Sequence, residues 1–303
     1  METIKKKEWT GMRASASAIN AYKRCPRYFY FNYIEKIETP KNMFLVKGTI
    51  IHSVMEVFFN KYEKKLTNRM MTLLNTYWDF DKSKIDKLNL STEEVAQHKK
   101  DCVTILKNYL NKFKENMKML KIMGKVENQR HAFFLLKPKF VEKWLEDKDL
   151  KVCGKLDYGG TDFEGQYTIG DYKTSMKYGM SFKKDYYRAL IIYAYLVVTL
   201  EGIIPHWLAI NYLRFGDVDR FAFTPDMVNE ARELILEFHE KTKSDKIKDY
   251  PKTNNPKICA AGKYTCEFFN ICNGTDEFDT KTRIKKLKEQ FKKRGKNESN
   301  TTT

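Results

Sequence analysis

The sequence has no apolar run long enough to cross a membrane. Its longest, Ala189 to Leu200 with Thr199 inside it, is 12 residues, against the roughly 20 a bilayer core requires. Met1 to Arg13 carries scattered lysines and two glutamates without an apolar core, so it reads neither as a secretory signal nor as a transit peptide. The expectation is a cytoplasmic protein, of a bacterium or a phage-infected cell, with no membrane partner. No Gly-x4-Gly-Lys-Ser/Thr pattern occurs, which excludes a Walker A ATP motor from this chain. There is no internal repeat. Six cysteines without a secretion signal argue against a disulfide framework.

Positive charge is in excess. Fifty-six Lys+Arg face 39 Asp+Glu, a formal charge of +17 over 303 residues. Lysine-rich solvated helices would account for it, and so would a polyanion whose phosphates Lys and Arg neutralise. Hydrophobic residues at 42% and aromatics at 14% suffice for a packed core.

Ser15 to Ile34 reads as a helix capped by Ser15 or Ser17. Its aromatics, Tyr22, Tyr28, Phe29, Tyr30, Phe31 and Tyr33, interleave with Lys23, Arg24 and Arg27. A second helix runs over about Gly48–Lys65, with Ile51, Val54, Met55, Phe58 and Phe59 at helical spacing. The capping box Ser91-Thr-Glu-Glu94 opens a long Lys-rich helix to about Ile122, expected on the outside. Val126–Leu136, Leu150–Tyr158 and Gln166–Lys173 have strand character. Gly159, Gly160, Asp162 and Gly165 supply turn chemistry that makes the last two a hairpin. Phe182–Leu200 is an apolar helix, His206–Arg214 and Val218–Phe223 a second strand pair, and Pro225–Lys243 a further helix. A cysteine-rich loop and a basic tail close the chain. The expected organisation is one domain over 1–279 and a partly disordered tail over 280–303.

Three groupings carry chemistry. Asp171 and Lys173 alternate onto one strand face, and the hairpin sets Asp157 on the adjacent strand. Two converging carboxylates repel unless a cation sits between them, and Mg²⁺ or Mn²⁺ suits oxygen donors. A surface salt-bridge hairpin would show the same Asp-x-Lys pattern. His52 and Glu56 share a helix face among apolar neighbours, where a charge needs a partner. A metal reached by His52, Asp157 and Asp171 supplies one. Finally, Cys259, Cys266 and Cys272 lie within 14 positions, and Cys25 sits in Lys-Arg-Cys-Pro-Arg. Four thiolates suit tetrahedral Zn²⁺ or an iron–sulfur cluster. Cys102 and Cys153 read as ordinary buried thiols.

The ordered set Ser15-x-Ser17-x-Ile-Asn-x-Tyr22-x2-Cys25-Pro26-Arg27, Lys47-Gly48-x3-His52-x3-Glu56, Gly154-x2-Asp157, Asp171-Tyr-Lys173-Thr174 and the closing cysteines resembles the PD-(D/E)XK nuclease superfamily. The similarity extends to its RecB-type iron–sulfur branch, the Cas4, AddB and Dna2-like nucleases, over about residues 13–275. The resemblance implies an α/β, restriction-endonuclease-like mixed sheet flanked by helices, its termini joined by a cysteine-ligated cluster. It implies metal binding by His52, Asp157, Asp171 and the backbone carbonyl of Tyr172, with Lys173 catalytic. Glu56 matches a motif position beside the ligands, and Glu127 an acidic position upstream of the hairpin. Cys25, Cys259, Cys266 and Cys272 would hold a [4Fe–4S] cluster. Two departures stand out. Six residues separate Cys259 from Cys266 where the family has two, which keeps Zn²⁺ as an alternative. Ala189 fills a position where the family often has glutamine, leaving Arg188 or Tyr187 to substitute.

The expected activity is Mg²⁺- or Mn²⁺-dependent hydrolysis of DNA, by an exonuclease acting on single strands or ends in replication, recombination or repair. Tyr22, Lys23, Arg24, Arg27 and Arg188 are candidate DNA contacts. A helicase or recombination protein is a possible partner in trans. The alternatives are a non-catalytic DNA-binding module that keeps the fold, and a structure-specific endonuclease.

Overall fold

The computed structural model describes residues 11–39, 42–175, 180–253, 255–261 and 264–272. The N-terminal leader and the basic tail lie outside them. In chain order the elements are α1 (Ala16–Arg24), α2 (Pro26–Phe29) running into a π-turn (Tyr30–Ile34), α3 (Met43–Phe58), α4 (Leu66–Phe80), α5 (Lys82–Asp86), α6 (Thr92–Ile122) and α7 (Gln129–Leu136). Then follow β1 (Phe140–Asp147), β2 (Val152–Thr161), β3 (Tyr167–Lys173), α8 (Met180–Glu201), β4 (Trp207–Tyr212), β5 (Asp217–Ala222) and α9 (Asp226–Lys241). Short pieces close the chain: a 3₁₀ turn (Ile247–Asp249), α10 (Pro256–Cys259), β6 (Ala260–Ala261), β7 (Tyr264–Thr265) and α11 (Phe269–Cys272). Two compact units result, one of residues 41–233 and one combining 1–40 with 234–303.

The central unit is built on a mixed sheet in the order β1-β2-β3-β4-β5. All neighbours are antiparallel except β3 and β4. A parallel pair needs a crossover, and α8 supplies it, packing on β1 to β4 with Leu190, Ile191, Ala194 and Leu196 fully buried. A separate helical core joins α3, α4, α6 and α7 to Tyr172 of β3 and Leu213 after β4.

The capping box at α6 forms in full, with Ser91 Oγ accepting from Glu94 N at 3.2 Å and Glu94 Oε2 from Ser91 N at 2.9 Å. The helix is not simply an outer one. Its lysines face water while Cys102, Ile105, Leu106, Leu110, Phe113 and Met117 form a buried stripe. Two expectations need correction. Val126–Leu136 is no strand: Asn128 Oδ1 accepts from His131 N at 2.9 Å and starts α7 there. Gly159 and Gly160 are not turn residues. Both lie in β2, where a Cβ would come within 2.8 Å of Tyr167 Oη and of Pro138 Cα respectively. The turn itself is built by Asp162, whose Oδ1 accepts from Glu164 N and Gln166 N, and by Gly165 at φ +93°.

The terminal unit starts with α1, capped by Ser15 Oγ on Ala18 N at 3.2 Å. The single helix expected over Ser15–Ile34 breaks at Cys25, whose φ of −163° is extended. Pro26 disfavours helical backbone in the residue before it and starts α2 as its first residue. Phe29, Tyr30 and Phe31 are core, and Tyr22, Tyr28 and Tyr33 are half-buried. Phe29 packs against Tyr22, Phe238 and Tyr250, and Phe268 against Tyr28 and Phe31.

Candidate active site

Alternation on β3 sends Asp171 and Lys173 one way and Tyr172 the other. Tyr172 is buried in the helical core, its ring stacked on Tyr158 at 4.8 Å and edge-on to Tyr109 at 5.6 Å. Lys173 Nζ lies 2.5 Å from Asp171 Oδ2 and 4.9 Å from the ring centre of Tyr186 on α8. On β2, Asp157 Oδ2 accepts from Tyr172 N at 2.7 Å, which fixes the carboxylate beside Asp171.

The third strand is β1, which the sequence reading did not foresee. Glu142 stands there with φ +50°, a left-handed backbone that costs a non-glycine residue on the order of 1–3 kcal/mol. It is only 7% exposed. The β1–β2 pairing skips the Glu142–Asp157 step, so this distorted residue interrupts the ladder where the carboxylates gather. His52, from α3, reaches the same place. Its Nδ1 is 2.6 Å from Glu142 Oε1 and 3.5 Å from Asp157 Oδ1. One ligand atom each from His52, Glu142 and Asp157 lie within 4.8 Å of one another.

The electrostatics follow from crowding. Burial, and then the Asp171 charge, push Asp157 up to about 7. Burial opposes charge on His52, but the hydrogen bond to Glu142 and the Asp157 charge hold its pKa above the ordinary value. Burial likewise opposes charge on Glu142, and His52 and Lys155 outweigh it, keeping the carboxyl low. Lys173 is held above its usual value because the Asp171 charge outweighs its desolvation. Two carboxylates and an imidazole at this spacing, with the Asp171 charge acting on Asp157 and His52, form a donor set suited to a divalent cation.

Glu56 does not reach this cluster directly. Lys155 Nζ lies 2.9 Å from Glu142 Oε2 and 3.7 Å from Glu56 Oε2, linking the two. Glu127 is exposed, just ahead of α7, and the acid that meets His52 is Glu142 instead. Glu142 and Lys155 were both missed. The sequence of β1, with apolar and charged residues in pairs over Phe140–Asp147, has no period-two pattern that would mark Glu142 as inward-facing.

The candidate DNA contacts have partners inside the chain. The ring of Tyr22 packs edge-on against Phe29, Phe238 and Tyr250. Lys23 pairs with Glu237 at 2.5 Å, and Arg27 Nε donates to the Tyr250 carbonyl at 2.6 Å. Arg24 covers the Tyr28 ring at 5.1 Å, and Arg188 pairs with Asp185.

Cys25, Cys259, Cys266 and Cys272 line one cavity of about 220 Å³ with Arg27, Tyr28 and Phe268. Cys102 and Cys153 are buried in the central unit and are not among the residues that line this cavity. Burial raises the pKa of Cys266 and of Cys272, so a cationic group would be needed to hold them as thiolates.

The family model of the PD-(D/E)XK nuclease superfamily matches residues 13–273. The chain belongs to that superfamily. Among solved structures it is similar to a chain from Eubacterium rectale provisionally assigned as an exonuclease. That likeness has 13% identity and a TM-score of 0.46, covering 80% of this chain and 87% of the other. A search of curated proteins finds no match. Among the described residues, no helix of this nuclease-superfamily chain is long and apolar enough to cross a membrane.

Proposed function

We propose that the protein is a metal-dependent deoxyribonuclease, acting as an exonuclease on single-stranded DNA or DNA ends. The observation that carries this is the convergence of His52, Glu142 and Asp157, with the Asp171–Lys173 pair on the adjacent strand β3. In this reading His52, Glu142, Asp157, Asp171 and the Tyr172 carbonyl hold Mg²⁺ or Mn²⁺. Such an ion, when bound, neutralises charge on the scissile phosphate and makes water a better nucleophile.

The chain's own groups do the rest. Lys173 keeps its proton at Nζ because Asp171 stabilises it, and offers a fixed positive charge to phosphate oxygens. Tyr172 N–H holds Asp157 Oδ2 in place. Lys155 offsets Glu142 from the side away from His52, and Glu56 steadies Lys155. Tyr158 and Tyr172, stacked behind the strands, keep the carboxylates from drifting.

The four cysteines hold a [4Fe–4S] cluster in this reading, as in the iron–sulfur branch of the superfamily. Held by Cys25 and by Cys259, Cys266 and Cys272, such a cluster would join the α1–α2 segment to the α10–α11 segment.

Cleavage of linear against circular single-stranded DNA tests the exonuclease reading. Loss of the linear strand with the circle intact, abolished by chelation, is expected. Nicking of the circle would make the enzyme an endonuclease.

A further inference from the structure

The central unit carries a groove of about 550 Å³ bounded by the start of α4, one face of α6 and the start of α7. Five lysines line it, Lys64, Lys65, Lys114, Lys118 and Lys121, and no acidic residue is among the lining side chains. Three acids adjoin lining residues in the sequence: Glu63, which pairs with Arg69 at 3.0 Å, Glu115, which pairs with Lys112 at 3.4 Å, and exposed Glu127, next to Asn128.

The local structure makes this concentration of charge costly. Lys65 occupies the N-cap of α4 and provides no side-chain cap. Ser, Thr, Asp or Asn at that position would stabilise the helix, and an anion there would complement its dipole. Instead two lysines stand at the positive end of the helix, with its first N–H groups beside them. Lys114, Lys118 and Lys121 follow at i, i+4 and i+7, a row about 10 Å long on one face of α6. Lys114 Nζ donates to Thr67 Oγ1 at 2.7 Å, which holds the two banks together. A small anion would use two or three of these cations. A row with a second bank suits a chain of phosphates.

We infer that this groove binds the sugar–phosphate backbone of single-stranded DNA several nucleotides away from the cleaved bond. The groove begins beyond the C-terminal end of α3, past Phe58, whereas His52 stands inside that helix. It therefore acts as an anchor separate from the carboxylate cluster. The identity of the polyanion as DNA rests on the nuclease reading; the polyanion site itself does not.

The test uses the full chain without divalent metal, so binding is read independently of cleavage. Lys64, Lys65, Lys118 and Lys121 are exposed, and their joint replacement by Gln should hold or raise the melting temperature, because it relieves like-charge crowding. A control protein removes four exposed lysines elsewhere, Lys82, Lys87, Lys148 and Lys241. Binding of an oligonucleotide of roughly 30 residues is followed against salt. The groove variant should bind about tenfold more weakly at low salt, and its log–log slope should fall by about 2, given about 0.7 per phosphate contact on a single strand. The control should keep the wild-type slope. With Mn²⁺ restored, cleavage of an oligomer of about five residues should be equal in wild type and groove variant. Equal loss of slope in groove variant and control, or none in either, overturns the proposal. Normal binding loss in a protein that never cleaves DNA would leave the groove standing and reject the nuclease reading.

Discussion

His52 Nδ1 and Glu142 Oε1 lie 2.6 Å apart although 90 positions separate them in the chain. One sits on α3 and the other on a distorted residue of β1. The contact brings the helical core and the sheet to one point, where Asp157 and Asp171 already crowd. Glu142→Gln is therefore expected to lower metal affinity and cleavage at least 10- to 100-fold, the range seen when groups supporting a metal site are removed. Glu127→Gln should do neither, because Glu127 is exposed ahead of α7. Metal titration followed by cleavage rates on the two variants separates these outcomes.

His52 should also bias the choice of metal. Imidazole raises affinity for Mn²⁺ more than for Mg²⁺. In the wild type, half-maximal activity should need less Mn²⁺ than Mg²⁺, and His52→Ala should narrow that gap. Identical metal curves for the two proteins would make His52 a partner of Glu142 only.

Gly170 stands between Ile169 and Asp171, and a Cβ there would meet the Tyr158 ring at 2.1 Å. The ring cannot yield freely because it stacks on Tyr172 and accepts Asn211 Nδ2 at Oη. Gly170→Ala should cost on the order of 1–3 kcal/mol of stability and displace Asp157 or Asp171 enough to impair cleavage. A melting curve unchanged from wild type would mean that the rings repack without strain.

The four cysteines that share a cavity should act as a set. Iron and zinc analysis of anaerobically purified protein should give about four irons per chain, the content of one cubane. Ser at Cys25, Cys259, Cys266 or Cys272 should remove the iron and destabilise the terminal unit. Ser at Cys102 or Cys153 should keep it. Stoichiometric zinc without iron would replace the cofactor while leaving the ligand set in place.

Local signals were readable wherever one residue type decides the backbone. Ser91 with Glu94 marked the start of α6, Ser15 that of α1, and alternation over 166–173 put Asp171 and Lys173 on one face. What stayed hidden depended on long-range packing. The short apolar run Ala132–Leu136 suits strand or helix equally, and the cap at Asn128 decides for helix. β1 carries charges at Glu142, Lys143 and Glu146, so it reads as loop until a sheet and His52 give those charges partners. The aromatics of α1 and α2 suggest a surface for bases, yet Phe238 and Tyr250, from more than 200 positions later, bury Phe29 as core and pack edge-on against half-buried Tyr22. The break at Cys25 is a local signal that the expectation of one helix over Ser15–Ile34 leaves out, since Pro26 disfavours helical backbone in the residue before it.

The most direct measurement is cleavage of end-labelled single-stranded DNA with Mg²⁺ or Mn²⁺ by wild type, Asp171→Ala and Lys173→Ala, each checked by a melting curve. The account expects metal-dependent shortening of the strand by the wild type. It expects at least a roughly 10²-fold loss in each variant, the lower end for removing a positioned acid–base or charge-stabilising group. Metal-dependent cleavage at a near-wild-type rate by either folded variant would contradict it.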